Sequence, residues 1–304
     1  MIGPARSWAG AGEVEAGRDR EAASSVDGDP VAAAVGVYYW KPYSAIFRAV
    51  EASVYRRAGV VLDGPVLDLG CGDGRAARLL QSLGVVTAPP LGLDMDAADL
   101  ASASRERAHR GLLRGDAHRL PLADASLAGV FDNGVVCCIP AGAPPAVAEV
   151  VRVLRPGGVF AMTVATDRFD EVLGLGRLIA RFSPGLAARY CRRLNARMSH
   201  YTRHSPEAWR ALLTDHGLEV VHEEPFFGRR AGALWNLATL QVMRLWSASR
   251  LLGDLIGHDR MARLAAPLLR PLARRAEAAD RSAEPPFGYL LLVARKPTAA
   301  AGPE

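Results

Sequence analysis

From residue 65 onward, short apolar runs alternate with amphipathic stretches. Pro65–Leu69, Pro90–Asp94, Gly111–Gly115, Leu127–Asn133 and Val159–Ala165 read as buried strands. Helices are expected between them: from the turn at Gly74 to about Leu83, from about Ala97 to His109, and over Ala146–Leu154. The last of these stops before Pro156, which cannot continue it. Strand and helix alternating at this rhythm predict a parallel sheet covered on both faces. Upstream, Pro42–Arg57 carries Ile46, Phe47, Val50 and Val54 on one helical face. Residues 1–30 are rich in Ala, Gly, Glu and Arg without periodicity and are expected to be disordered, with order beginning near Val31.

After the fifth strand the rhythm breaks. Residues 168–204 form a first insertion, after which Ser205-Pro206 caps a helix over Glu207–His216. Gly217 ends that helix, and Leu218–Val221 reads as the sixth strand. Residues 228–283 form a second, helical insertion, in which Leu234, Trp235, Leu237, Leu240, Met243, Leu245, Trp246, Leu251, Leu252 and Leu255 give a broad apolar surface. Tyr289–Ala294 is the last strand. The expected architecture is α/β: a doubly wound, mostly parallel sheet of seven strands, with helical insertions after strand five and before the last strand. Residues 31–304 then make a single domain, with both insertions on the substrate side.

Composition narrows the class. No stretch reaches the roughly 18 uncharged apolar residues of a membrane span, and the N-terminus lacks the pattern of a signal peptide. The four cysteines of the 304 residues fit neither a disulfide framework nor a zinc site, so reduced thiols in a cytoplasmic protein are expected. The net charge of +5 conceals an asymmetry. Arg168–Arg203 holds eight arginines against Asp170 and Glu171; Arg229–Arg281 holds ten against Asp254, Asp259, Glu277 and Asp280. Two readings fit: solvated helix faces, or insertions that meet an anionic group or a membrane surface. The apolar surface of the second insertion would serve as a lid, a homodimer face or a peripheral lipid contact. No nucleic-acid-binding motif accompanies the charge, and no nucleic-acid partner is expected.

The chemistry concentrates in Val66-Leu-Asp-Leu-Gly-Cys-Gly-Asp-Gly74. A strand delivers Asp68 to its carboxyl end, where open α/β sheets bind ligands. Glycines at alternate positions let backbone approach a ligand closely. A second acid, Asp94, ends the next strand and can accept hydrogen bonds from both ribose hydroxyls. A dinucleotide site requires glycine at the sixth position of the fingerprint, where this chain has Arg75. Acids at Asp68 and Asp73 would also repel a pyrophosphate. They suit the sulfonium and ammonium of S-adenosylmethionine.

From about Gly64 to Ala165 the chain resembles the class I S-adenosylmethionine-dependent methyltransferases of the type 11 group. Leu67-Asp68-Leu69-Gly70-Cys71-Gly72-Asp73-Gly74 matches the first motif, and Gly92-Leu93-Asp94-Met95 the second. Gly115-Asp116-Ala117 followed by Leu120–Ser126 matches the third, and Val150–Gly158 the segment before strand five. The resemblance implies a Rossmann-like fold and S-adenosylmethionine as co-substrate. It also implies roles. Asp68, Gly70, Cys71 and Gly72 would hold the methionine end, Asp94 the ribose and Met95 the adenine face. Asp116 would accept from the adenine amino group with Ala117 beside the ring, and Asn133 and Val135 would line the methyl donor. Tyr38 and Tyr39 would close over the cofactor, where an aromatic face favours the sulfonium. One departure stands out: many relatives carry a Glu-His or His-His pair where this chain has Cys137-Cys138, so no catalytic histidine carries over there. Both thiols read as small apolar lining.

Methyl transfer demands alignment of nucleophile, methyl and sulfur, and a hydroxyl nucleophile also benefits from a base. His200 and His204, in the segment after strand five, are the candidate bases, and no metal is expected. The reading is methyl transfer from S-adenosylmethionine by in-line displacement to a small-molecule hydroxyl, of a specialised metabolite or a glycan- or lipid-linked intermediate. The alternatives are N- or C-methylation with the same donor, and a donor-binding partner subunit without turnover.

Overall fold

The computed structural model describes residues 28–140, 142–239 and 248–298. The disorder expected over residues 1–30 lies outside them except at its end, as do Leu240, Met243, Leu245 and Trp246 of the second insertion. Order begins at α1 (Pro30–Tyr38), where Asp29 accepts from the Val31 amide at 3.0 Å and Pro30 occupies the first turn. α2 (Pro42–Arg57) has the predicted bounds and buries Ile46, Ala49, Val50 and Val54.

The sheet contains β1 (Val66–Leu69), β2 (Leu91–Asp94), β3 (Gly111–Arg114), β4 (Leu127–Asn133), β5 (Leu154–Ala165), β6 (Glu219–Gly228) and β7 (Phe287–Arg295), ordered β3-β2-β1-β4-β5-β7-β6. β1 to β5 are mutually parallel, and β7 runs antiparallel between β5 and β6. This is the expected mixed, Rossmann-like α/β sheet. It brings the carboxyl ends of β1–β5 and the amino end of β7 to one edge, with Ala165 opposite Tyr289.

α3 (Arg75–Ser82), α4 (Ala97–Glu106) and α5 (Ala143–Val153) make the crossovers. α4 stops three residues before the expected His109, because Arg107 turns left-handed at φ 52°. β6 runs well past the expected Val221. It is an edge strand, so the polar side chains of His222, Glu223 and Glu224 and the missing amide of Pro225 are tolerated there.

The first insertion folds as α6 (Phe169–Val172), α7 (Gly174–Ala180) and α8 (Pro184–Arg197), followed by α9 (Pro206–Asp215). Ser205 caps α9 by accepting from Ala208 at 3.3 Å, and Trp209 Nε1 donates to the Ala165 carbonyl at 3.0 Å, tying α9 to the end of β5. The second insertion gives α10 (Arg229–Ala238), α11 (Ala248–Ile256) and α12 (His258–Arg281). α12 packs on α1 and α2, and Tyr39 Oη lies 2.7 Å from His258 Nδ1. Near its end, buried Asp280 accepts from the Phe227 and Gly228 amides and faces Arg57 at 3.6 Å. No described helix is long and apolar enough to cross a membrane.

Candidate active site

The carboxyl edge of β1, β2 and β4 borders a cavity of about 610 Å³. The turn after β1 is compatible only with glycine at its first position: Gly70 has φ +66°, and a Cβ there would lie 2.5 Å from Val135 Cγ2. Asp94 uses both carboxylate oxygens, Oδ2 accepting from the Gly72 amide at 2.8 Å and Oδ1 from the Asp96 amide at 2.9 Å. One side chain thus ties the glycine turn to the start of α4. Of the predicted set, Gly70, Asp94, Met95, Asp116, Ala117 and Val135 line the cavity. Met95 is 67% exposed at its rim, free to lie flat on a planar base. Asp116 Oδ1 accepts from the His118 amide at 2.9 Å. A carboxylate at a strand end, a Cβ-free turn and an apolar flank fit a nucleoside that carries positive charge and no phosphate, and the volume suits one such ligand.

Other members of that set sit elsewhere. Asp68 is buried, and its Oδ2 lies 2.9 Å from His109 Nε2. It therefore supports the turn from below and is not a wall of the cavity. Burial raises its carboxyl pKa, and the His109 hydrogen bond opposes that shift. His109 reaches Asp68 across β2 because Gly92 has no side chain; a Cβ there would meet the imidazole at 2.8 Å. Cys71 is buried beside Gly92, and burial pushes its thiol pKa up. Gly72 offers Asp94 an amide. Tyr38 and Tyr39 are buried in the N-terminal packing: Tyr38 stacks on Trp40 at 6.4 Å, and Tyr39 meets Trp40 edge-on at 5.1 Å. Neither closes over the cavity.

A second pocket of about 210 Å³ lies inward, and Gly134, Cys138 and Met198 line both spaces. Its aromatic walls are Tyr43 and Phe47 of α2, Trp235 of α10 and Tyr289 of β7. Asn133 lines this pocket, not the larger cavity. Its Oδ1 accepts from Tyr55 at 3.1 Å, while its buried Nδ2 has no partner among the described residues. Arg48 ion-pairs with buried Glu51, which accepts from Thr163 Oγ1 at 2.7 Å. Below, buried Asp132 accepts from the Val135 and Val136 amides, and burial carries its pKa up to about 7 against those two bonds. The Cys137 and Cys138 sulfurs lie 4.0 Å apart and donate to the Gly134 and Met198 carbonyls.

His200 reaches this pocket and His204 does not. His204 is exposed, with its ring 4.8 Å from Trp209. His200 Nδ1 is 3.1 Å from Asn195 Oδ1, and Nε2 is 2.9 Å from Tyr289 Oη. Asn195 spends both amide hydrogens on acceptors, Asp170 Oδ1 at 2.7 Å and the Cys191 carbonyl at 3.0 Å. Its Oδ1 must then accept, so Nδ1 of His200 carries the hydrogen and Nε2 a lone pair. Burial, and after it the Arg203 charge, push the imidazole down to about 4. Sequence reading missed Tyr289, Tyr43, Phe47, Trp235, Met198 and His118 as lining residues. The only signal for Tyr289 was its place at the start of an apolar strand.

Residues 67–162 match the family model described as a methyltransferase domain. Over that segment the chain, with its sheet order and glycine-turn cavity, is similar to the class I S-adenosylmethionine-dependent methyltransferases. Among similar curated proteins, a malonyl-[acyl-carrier protein] O-methyltransferase of Enterobacter lignolyticus is 35% identical over 159 residues, covering 51% of this chain and 61% of that one. A phthiotriol/phenolphthiotriol dimycocerosates methyltransferase of Mycobacterium tuberculosis is 35% identical over 113 residues, covering 36% and 41%. The chain thus spans less than two thirds of the length of either relative. A solved Galdieria sulphuraria structure, described as a sarcosine dimethylglycine methyltransferase, shares the fold with a TM-score of 0.51 at 18% identity, covering 83% of this chain and 86% of that one.

Proposed function

We propose that this chain transfers the methyl group of S-adenosylmethionine to a hydroxyl of a small acceptor held in the inner pocket. The observation that carries the reading is the shared wall: Gly134, Cys138 and Met198 border both spaces, so ligands in the two would meet there. The donor supplies an activated methyl on positive sulfur; this chain's residues align the acceptor, exclude water and take its proton. The Tyr289 hydroxyl donates to Nε2 of His200, which leaves the phenol oxygen free to accept from the acceptor's hydroxyl. As the new O–C bond forms, the acceptor's proton passes to Tyr289 and that of Tyr289 to His200. The unpaired Asn133 amide donor can hold an oxygen of the acceptor.

An imidazole pushed down to about 4 is unprotonated at neutral pH but weakly basic, so it suits an acidic hydroxyl. Phenols and enols fit, and the aromatic walls favour a flat or apolar acceptor. The Enterobacter relative, named as an O-methyltransferase, supports an oxygen acceptor. The exposed Leu251, Leu255, Leu264 and Leu268 of α11 and α12 offer a homodimer face, which light scattering on the purified chain tests.

The decisive experiment pairs calorimetry with turnover. S-adenosylhomocysteine binds the wild type, His200→Gln and Tyr289→Phe alike, while transfer from labelled donor to a panel of phenols falls by about 100-fold in both variants. Unchanged transfer in Tyr289→Phe would remove the proton relay from the reading, and transfer to amines or carbon acids alone would move it to nitrogen or carbon acceptors. Donor binding without transfer to any acceptor would leave a binding subunit.

A further inference from the structure

The turn between α7 and α8 projects three large apolar side chains into solvent. Phe182 is 84% exposed, and Leu178 and Leu186, one helical turn to either side in sequence, are 52% and 59% exposed. They cannot be covered by their own helix, because α8 already buries its opposite face through Ala187, Cys191, Leu194 and Asn195. The charge around them has one sign. Residues 172–206 contain seven arginines and no Asp or Glu. Arg177, Arg181, Arg189 and Arg192 are exposed, and none has an acidic partner among the described residues.

We propose that this apex docks the protein on an anionic lipid surface, with Phe182, Leu178 and Leu186 entering the acyl boundary and the arginines at phosphate level. Three features select this occupant. A second copy would set arginine against arginine. A folded acidic partner would need a concave pocket for a protruding phenyl ring, whereas a fluid layer needs no matching shape. The long arginine stems can lie along the apolar boundary while the guanidinium groups reach the phosphates. α8 spans 14 residues, about 21 Å at the usual helical rise, and ends beside Met198, Ser199 and His200. Docking therefore holds the two pockets no more than about that distance from the lipid surface. The inference is independent of methyl transfer.

Sedimentation of the full chain with vesicles tests it. Wild-type protein is expected to pellet with vesicles of phosphatidylcholine and phosphatidylglycerol, weakly with phosphatidylcholine alone, and less as salt shortens the screening length from about 10 Å to about 3 Å. Phe182→Ser should lower the partition coefficient by at least about tenfold, and Arg181→Glu and Arg189→Glu each by on the order of tenfold. Unchanged S-adenosylhomocysteine binding and far-ultraviolet circular dichroism keep each variant interpretable. The proposal is overturned if the wild type stays in the supernatant with anionic vesicles. It is equally overturned if the variants pellet like the wild type, or if polyglutamate captures the protein while vesicles do not.

Discussion

The cavity proposed for the donor and the inner pocket proposed for the acceptor are built by opposite means. On the donor side, backbone does most of the work: a turn that requires glycine, amides that hold Asp94, and a buried Asp68–His109 pair beneath. On the acceptor side, the backbone of α2, α8, α10 and β7 serves only as a frame, and side chains fill the space between them: Phe47, Met198, His200, Trp235 and Tyr289. A backbone-built site tolerates almost no change. A site made of side chains from separate elements can be refitted to new acceptors without disturbing the donor.

The comparison can be broken at three points, taken from the largest effect down. Gly70→Val should abolish measurable S-adenosylhomocysteine binding, because the new side chain would overlap Val135 and strain a left-handed backbone; binding within tenfold of wild type would refute the account of the turn.

His200 gives the second effect. Its folded imidazole lies at about 4 against 6.5 when unfolded, so the unfolded chain binds the proton more readily between those values. The neutral site's full stability is present above pH 6.5 and is lost as pH falls toward 4, by about 3 kcal/mol. Asp132, raised from 3.8 to about 7, acts oppositely, losing stability as pH rises through that window. Urea unfolding at stepped pH should therefore compare wild type with His200→Gln, whose difference isolates the imidazole. A difference independent of pH would mean the imidazole is not desolvated.

The third effect is the smallest. Asp94→Asn should weaken S-adenosylhomocysteine by about 2 kcal/mol, near 30-fold, through the lost charge-assisted bonds. Calorimetry reads it directly, and an unaffected affinity would detach Asp94 from the ligand.

This contrast also explains what was legible in the sequence. β4 was bounded to the residue and β1 and β2 to within one, since buried parallel strands are written as continuous apolar runs. Of the residues expected at the donor, Gly70, Asp94, Met95, Asp116 and Ala117 came from motifs in chain order and Val135 from the end of β4, and all six line the larger cavity. Asp68 misled because a strand-end acid reads the same whether it faces a ligand or a histidine brought from residue 109. Tyr38 and Tyr39 looked like a lid, but Tyr38 packs on Trp40 and Tyr39 on His258 of α12, a contact between segments over 200 residues apart. Of the inner pocket, His200 was expected as a base, Asn133 as lining the methyl donor, and Cys137 and Cys138 as small apolar lining. Its other walls are spread between Tyr43 and Tyr289, and no local periodicity records a meeting of that kind.

The reversed direction of β7 has a consequence for how errors in folding would be felt. Strand pairing alternates side chains between faces, so a slip of one residue against β5 would turn the Tyr289 phenol away and swing the isobutyl group of Leu290 into its place. The hydrogen-bond ladder would survive such a slip almost intact, yet His200 would lose its partner. Under the proposed relay, strand alignment would itself be a determinant of reactivity.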